Sequence, residues 1–398
     1  MLDATTTTTT TRRFSRMTMM TRRARASSSS TPRRRATTRV RAESTRNGRK
    51  NNTPSFSRLH PFAATAKAPV GSALDVAQAR SNFVLDVKKF VEEADDDAMR
   101  LDLGPRAGVV SSGVLLYSAK SGGRDAGAVE GAMASAAVEG VHAGNYERVV
   151  DKAKANLADM WASRVDGRVS VELGWWLAND AEECVKKALE LRELCDELRT
   201  PREKLLFKVP ATFRGVEATR RLEALGIPVH VSHVYCREQA DAAIDAGATL
   251  VQLYYSRVNA WHKAKGILTP GTDPAYELVR DALARVRSTG AKTKIMVASL
   301  ANVNAVKRVL GVDYCLVSQR IIDELAEMPA GDFVDAVVAD ARAVSPPPYA
   351  PLSEAEFRAA CAKSPAKEEI EIALQRNAAR DRDLIDYISE AKAGGGNA

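Results

Sequence analysis

Between residues 168 and 328 the chain alternates short apolar runs with helical stretches, almost without a break. Runs at 168–173, 205–211, 229–235, 250–255, 294–299 and 314–318 read as strands. Helices are expected over 180–198, 214–225, 238–246, 275–287, 302–310 and 320–328. The first of them shows the period plainly: Cys184, Ala188, Leu191, Cys195 and Leu198 step by three and four, one face of a 3.6-residue turn. Gly226, Gly247 and Gly311 follow three of the helices, where a left-handed residue closes the last turn. Strand-then-helix units of this length demand parallel strands joined by crossover helices. Six units, with 109–117 as a candidate seventh strand, favour an α/β fold of the closed (β/α)8 barrel type over an open doubly wound sheet. No GxGxxG and no P-loop lysine motif is present, so a dinucleotide or nucleotide triphosphate fold lacks its signature. Residues 80–104 read as mostly helical and acidic, which leaves the first strand unplaced.

The ends of the chain differ from this body. Residues 1–65 hold fourteen Arg and one Lys against Asp3 and Glu43, a net charge of +13, with runs of Thr and Ser. The remainder carries −5, so the basic balance belongs to the leader. An Arg-rich, Ser/Thr-rich, acid-poor leader has the composition of an organelle transit peptide, and Val40-Arg41-Ala42 resembles a stromal processing site, which favours the plastid. A nucleic-acid-binding arm is disfavoured by the acidic body and the scarcity of stacking aromatics, and no stretch is apolar enough to span a membrane. Five scattered cysteines without a CxxC pair suit a reducing compartment and form neither a disulfide framework nor a zinc site. The expected organisation is a disordered leader (1–65), a barrel (66–345) and, beyond three consecutive prolines, a helical extension (346–398) ending in a disordered glycine tail.

Within the run 205–211 stands Lys208, an ammonium among residues that otherwise read as a buried strand. Burying it without a partner is costly, and a desolvated amine can attack a carbonyl to form a Schiff base. The bland alternative is a strand-end lysine that snorkels to water. Barrel enzymes carry their chemistry at the C-terminal ends of strands, where this chain offers Ser111, Ser112, Glu172, Lys208, His230, Ser232, Gln252, Arg257 and Ser299. A Schiff-base aldol reaction needs a nucleophilic amine, a proton shuttle and a cation for an anionic sugar; Lys208, Glu172 and Arg257 supply one of each. Glu172 lies one unit before Lys208, so the two are expected to be neighbours. His230 and His233, three apart on a strand, are expected on opposite faces and unable to share a metal, with His230 inward beside Ser232.

With these residues in place the sequence resembles the transaldolases from about 169 to 325. VSVEL (169–173) is similar to the family's strand with a catalytic glutamate, and LLFKVPAT (205–212) to its Schiff-base lysine strand. LEALGIPVHVSHVY, YYSRVNAW, IMVASLANVNAV and CLVSQRIIDEL resemble the units that follow. The resemblance implies a class I aldolase mechanism with no cofactor and no metal, in which Lys208 forms the Schiff base with a ketose phosphate. It makes Glu172 the proton shuttle through a water that Ser232 holds, and gives the substrate phosphate to Arg257 and Ser299. Departures are equally specific: Ser112 and His230 replace substrate-site asparagines, Gln252 replaces a serine, and Ala301 replaces a second phosphate arginine. The first-strand acid/base aspartate has no secure counterpart, with Asp95–Asp97 the nearest guess.

Three readings follow. The first is a plastid transaldolase that moves a dihydroxyacetone unit between sugar phosphates, from sedoheptulose 7-phosphate to glyceraldehyde 3-phosphate, in the pentose phosphate pathway, with a homodimer as the expected assembly at most. The second is a Schiff-base aldolase of the same fold with an altered, less phosphorylated substrate. The third is a non-catalytic transaldolase-like binding protein.

Overall fold

In the computed structural model, residues 71–85, 107–122, 124–138, 146–330 and 336–394 are described, all within the compact unit Thr65–Ala398. The leader and the Asp95–Asp97 cluster lie outside the described residues. Eight strands form one sheet: β1 (Asn82–Leu85), β2 (Gly108–Val110), β3 (Val169–Glu172), β4 (Leu205–Pro210), β5 (Val229–Val234), β6 (Leu250–Tyr254), β7 (Lys294–Ala298) and β8 (Tyr314–Val317). Their order is β1-β8-β7-β6-β5-β4-β3-β2 and every pairing is parallel. The sheet curls through all eight strands with its seam between β1 and β2, and helices surround it: a (β/α)8 barrel of the aldolase type with extra C-terminal helices.

The helices are α1 (Ala73–Gln78), α2 (Ser112–Ser121), α3 (Gly127–Val138), α4 (Tyr146–Ala162), α5 (Ala181–Glu197), α6 (Phe213–Ala224), α7 (Arg237–Asp245), α8 (Tyr255–Ala264), α9 (Pro274–Thr289), α10 (Val303–Val309), α11 (Gln319–Glu327), α12 (Ala336–Ala343), α13 (Glu354–Ala362) and α14 (Ala366–Gly394). Side chains alternate across each strand. Val169, Val171, Phe207, Val209, Val229, Val231, Val251, Leu253, Ile295 and Val297 face outward into the main core beneath the helices. Val84, Leu206, Leu250 and Met296 face inward and plug the barrel's N-terminal half, with Tyr314 and Leu316 packed on them. Above that plug the inward positions turn polar, and this polar half is where the site lies.

Two expectations for the first strands change. The run 109–117 is a strand for only its first two residues. Ser111 then caps α2, its side chain accepting from Val114 N, and Leu115 is buried on the helix instead. A short apolar run cannot separate a strand from a buried helix by periodicity, and the serine pair that starts the helix decides it. The segment from residue 80, read as helical, opens with β1, which pairs with β8 from Asn82↔Tyr314 to Leu85↔Val317.

Candidate active site

Register brings the central residues together. Glu172 pairs with Lys208, and Lys208 with His230, on three adjacent strands. All three belong to the inward parity. Lys208 Nζ donates to Glu172 Oε2 at 3.0 Å, with side chains 11% and 17% exposed, so the buried ammonium has its counter-charge. The snorkelling alternative therefore fails: the ammonium turns into the barrel, not out of it. Burial pushes the Glu172 carboxyl up, but the Lys208 charge and hydrogen bond outweigh it, and the carboxyl sits below its ordinary value. The second oxygen, Oε1, accepts from Asn377 Nδ2 of α14 at 3.2 Å. Buried Lys154 of α4 donates to the Glu172 carbonyl at 3.1 Å, tying the strand end to that helix.

His230 is 1% exposed. Its Nδ1 lies 2.9 Å from Ser170 Oγ and its Nε2 3.0 Å from Gln252 Oε1. An amide oxygen can only accept, so Nε2 carries the proton and Nδ1 accepts from the serine hydroxyl. Burial, then the Lys208 charge, hold its pKa well below 6.5, so the ring is neutral. Ser232, also 1% exposed, faces inward next to it; its Oγ reaches the Val209 carbonyl at 3.4 Å.

His233 does not obey the simple alternation. Between Val231 and Val234, β5 carries one residue more than β6 opposite it, a bulge that resets the parity. His233 takes φ 61° and stacks on Tyr254, centroids 5.3 Å apart and planes 9° from parallel, at the inward end of β6. Its expected place on the opposite face from His230 is corrected accordingly. Burial and the Lys208 charge bring its pKa down to about 3, so it too is neutral. Ser299, just past β7, is the other strand-end residue with a left-handed backbone, φ 58°, and its carbonyl accepts from Ser256 N at 3.0 Å. Such backbones cost about 1–3 kcal/mol and concentrate at functional sites.

The mouth of the barrel is crossed by α14, and its contacts there were not foreseen. Glu369 Oε2 meets Arg257 Nη1 at 2.7 Å, Asn377 holds Glu172, and Tyr387 Oη donates to the Ala119 carbonyl of α2 at 3.2 Å. Asp381, 8% exposed, faces Ser112, whose Oγ is buried. Burial raises the Asp381 carboxyl, with Lys154 and Ser112 opposing. Residues 369, 373, 377, 381, 384 and 388 share one helical face, a spacing present in the sequence. Polar residues on that face conceal it, because the surface it covers is itself polar. Trp175 and Trp176, beyond β3, are 37% and 41% exposed and meet edge to face.

Lys208, Glu172, Ser232, His230 and Gln252 thus converge in the barrel, while Arg257 lies on its rim over the Tyr254 ring, 5.6 Å from the centroid. Ser112 lies on the β2 side under α14, and Ala301 is exposed. An amine, an ionised carboxylate at hydrogen-bond distance and a neutral, desolvated surrounding are the groups that imine formation uses. Among the described residues no cluster of His, Cys, Asp and Glu could hold a metal ion.

A sequence model of the family described as transaldolase/fructose-6-phosphate aldolase matches residues 115–373. A transaldolase of Edwardsiella ictaluri is 30% identical over 210 residues, 52% of this chain and 65% of that protein. One of Kluyveromyces lactis is 31% identical over 194 residues, 48% of this chain and 58% of the other. One of Yersinia pseudotuberculosis (strain YPIII) is 29% identical over 219 residues, 54% and 68%. The match thus spans about two thirds or less of the first two relatives.

Proposed function

Since the chain belongs to the transaldolase/fructose-6-phosphate aldolase family, we propose that it transfers a dihydroxyacetone unit from a ketose to an aldehyde through a Schiff base on Lys208. The observation that carries this reading is the 3.0 Å contact between Lys208 Nζ and Glu172 Oε2 inside the barrel. The ammonium must lose a proton before it attacks, and Glu172 is the acceptor within reach. Nζ then adds to the ketose C2 carbonyl and water leaves, giving the imine. With the imine nitrogen protonated, a base takes the C4 hydroxyl proton, the C3–C4 bond breaks, its electron pair passes to the iminium to form an enamine, and an aldehyde departs. The enamine adds to an acceptor aldehyde, and water releases the new ketose. Ser232 and Glu172 would hold the water that enters and leaves; neutral His230, both ring nitrogens taken by Ser170 and Gln252, would line the chamber beside Lys208 and hold Gln252 for substrate hydroxyls. On the sugar-phosphate form of the reading, Arg257 and Ser299 bind the phosphate, sedoheptulose 7-phosphate and fructose 6-phosphate are the donor ketoses, and the pentose phosphate pathway is the setting. A second form, the same chemistry on a ketose without that phosphate, is favoured by the Glu369 carboxylate already on Arg257.

Borohydride trapping tests the Schiff base. Full-length protein with a ketose and borohydride should gain a reduced dihydroxyacetone adduct on Lys208, located by peptide mass, and Lys208→Met should gain none. Absence of any adduct with folded protein, across phosphorylated and unphosphorylated ketoses, removes the reading.

A further inference from the structure

The cations on the β6–β8 side of the mouth are paired with groups of the chain itself. Arg257 stands in the first turn of α8, directly after β6, with its guanidinium over Tyr254. Its Nη1 is 2.7 Å from Glu369 Oε2, and the carboxylate is 19% exposed. The neighbouring acid completes a clasp: Glu368 takes Lys265 Nζ, at the C-cap of α8, at 2.7 Å and accepts from Trp261 Nε1 of α8 at 3.1 Å. Further round the rim, Arg320 of α11 donates to the Ala301 carbonyl at 2.7 Å and pairs with Glu324. Each of these arginines carries a carboxylate of the chain itself.

The helix that carries Glu369 is fixed to the barrel by Asn377 on Glu172 and by buried Leu384 and Ile388, which keeps the carboxylate within reach of Arg257. A guanidinium recognises phosphate through paired, charge-assisted hydrogen bonds, and a carboxylate on the same fork competes for those donors. A phosphate that did displace it would then lie against an unpaired carboxylate, a like-charge contact that works as a rejecting element. A hydroxyl meets no such penalty.

Resting on the reading of Lys208 as the Schiff-base lysine, we propose that Glu369 is a specificity-determining residue. It neutralises Arg257 and turns the site toward hydroxyketones that lack a phosphate at that end. The substrate class is an unphosphorylated ketose or dihydroxyacetone itself, and α14 supplies the selecting group.

The experiment compares the full-length protein with E369Q and with E368Q, which loses the adjacent carboxylate of the clasp. Fructose and fructose 6-phosphate are the donors, with kcat/KM and borohydride capture on Lys208 as readouts. The native protein is expected to use fructose at least as well as its phosphate. E369Q is expected to raise kcat/KM for fructose 6-phosphate by about tenfold or more while moving fructose by less than about threefold, and E368Q to leave the ratio unchanged. A native protein that prefers the phosphate by more than about tenfold overturns the proposal. An E369Q that shifts both donors equally also overturns it, since Glu369 then acts on the fold and not on selection. Loss of all capture on Lys208, with every donor, condemns the Schiff-base reading itself, an outcome separable from the others.

Discussion

At the scale of single residues the site depends on which groups stay neutral. His230 is buried and neutral at physiological pH, while the same imidazole in an unfolded chain protonates as pH falls through about 6.5. The unfolded state then binds the extra proton, so this contribution is intact above about pH 6.5 and is lost as pH drops below it, by up to about 1.4 kcal/mol per pH unit. Glu172 acts in a lower window. Its depressed folded pKa supports stability above the ordinary carboxyl value of 4.5, and that support is lost as pH falls through the folded pKa. Urea unfolding at about pH 7.5 and about pH 5.5 therefore isolates the histidine: the native protein should lose roughly 1 kcal/mol more than His230→Asn over that interval. Equal losses in the two proteins would show that His230 does not stay neutral in the fold.

At the scale of elements, the strands were the most readable part of the chain. The structure keeps β3 to β8 inside the runs marked from sequence, and helices α5, α6, α7, α9, α10 and α11 within a residue or two of expectation. Outward valines and isoleucines buried on the helix side produce those runs, which is why they are legible. β1 was not, because its four residues precede acidic sequence and do not announce a period. Nor were the bulge at His233, which no local pattern signals, and the helical fate of Leu115. The end of β1 now restricts the search for the missing acid/base carboxylate. Leu85 is its last residue and Asp86 the next in the chain, outside the described residues, whereas Asp95–Asp97 stand nine or more positions further on. Catalytic groups of such barrels follow their strands closely. Asp86→Asn should thus lower kcat by about 10²-fold or more with little change in KM, while replacing Asp95, Asp96 and Asp97 together should leave kcat nearly unchanged; the reverse pattern would return the role to the distant cluster.

At the scale of the whole molecule the two ends of the chain differ in composition. For residues 1–65 we propose import into the plastid stroma, on charge and composition alone. Fused to a fluorescent protein they should carry it into plastids of a green cell, and replacing the arginines by glutamine should leave it in the cytosol; cytosolic fluorescence of the unmodified fusion would reject the leader. The candidate residues inside the barrel could be picked from sequence because strand parity and a family likeness both pointed at them. Asn377, Asp381 and Glu369 could not, because their partners lie 205, 269 and 112 positions away and no periodicity encodes such meetings.

The course of α14 matters at the bench. Its last turns, past Tyr387, continue the same helix that grips Glu172 through Asn377 and Arg257 through Glu369. An affinity tag or reporter joined to the C-terminus would therefore extend from the very helix that covers Glu172 and Arg257, whereas one placed at the N-terminus would not.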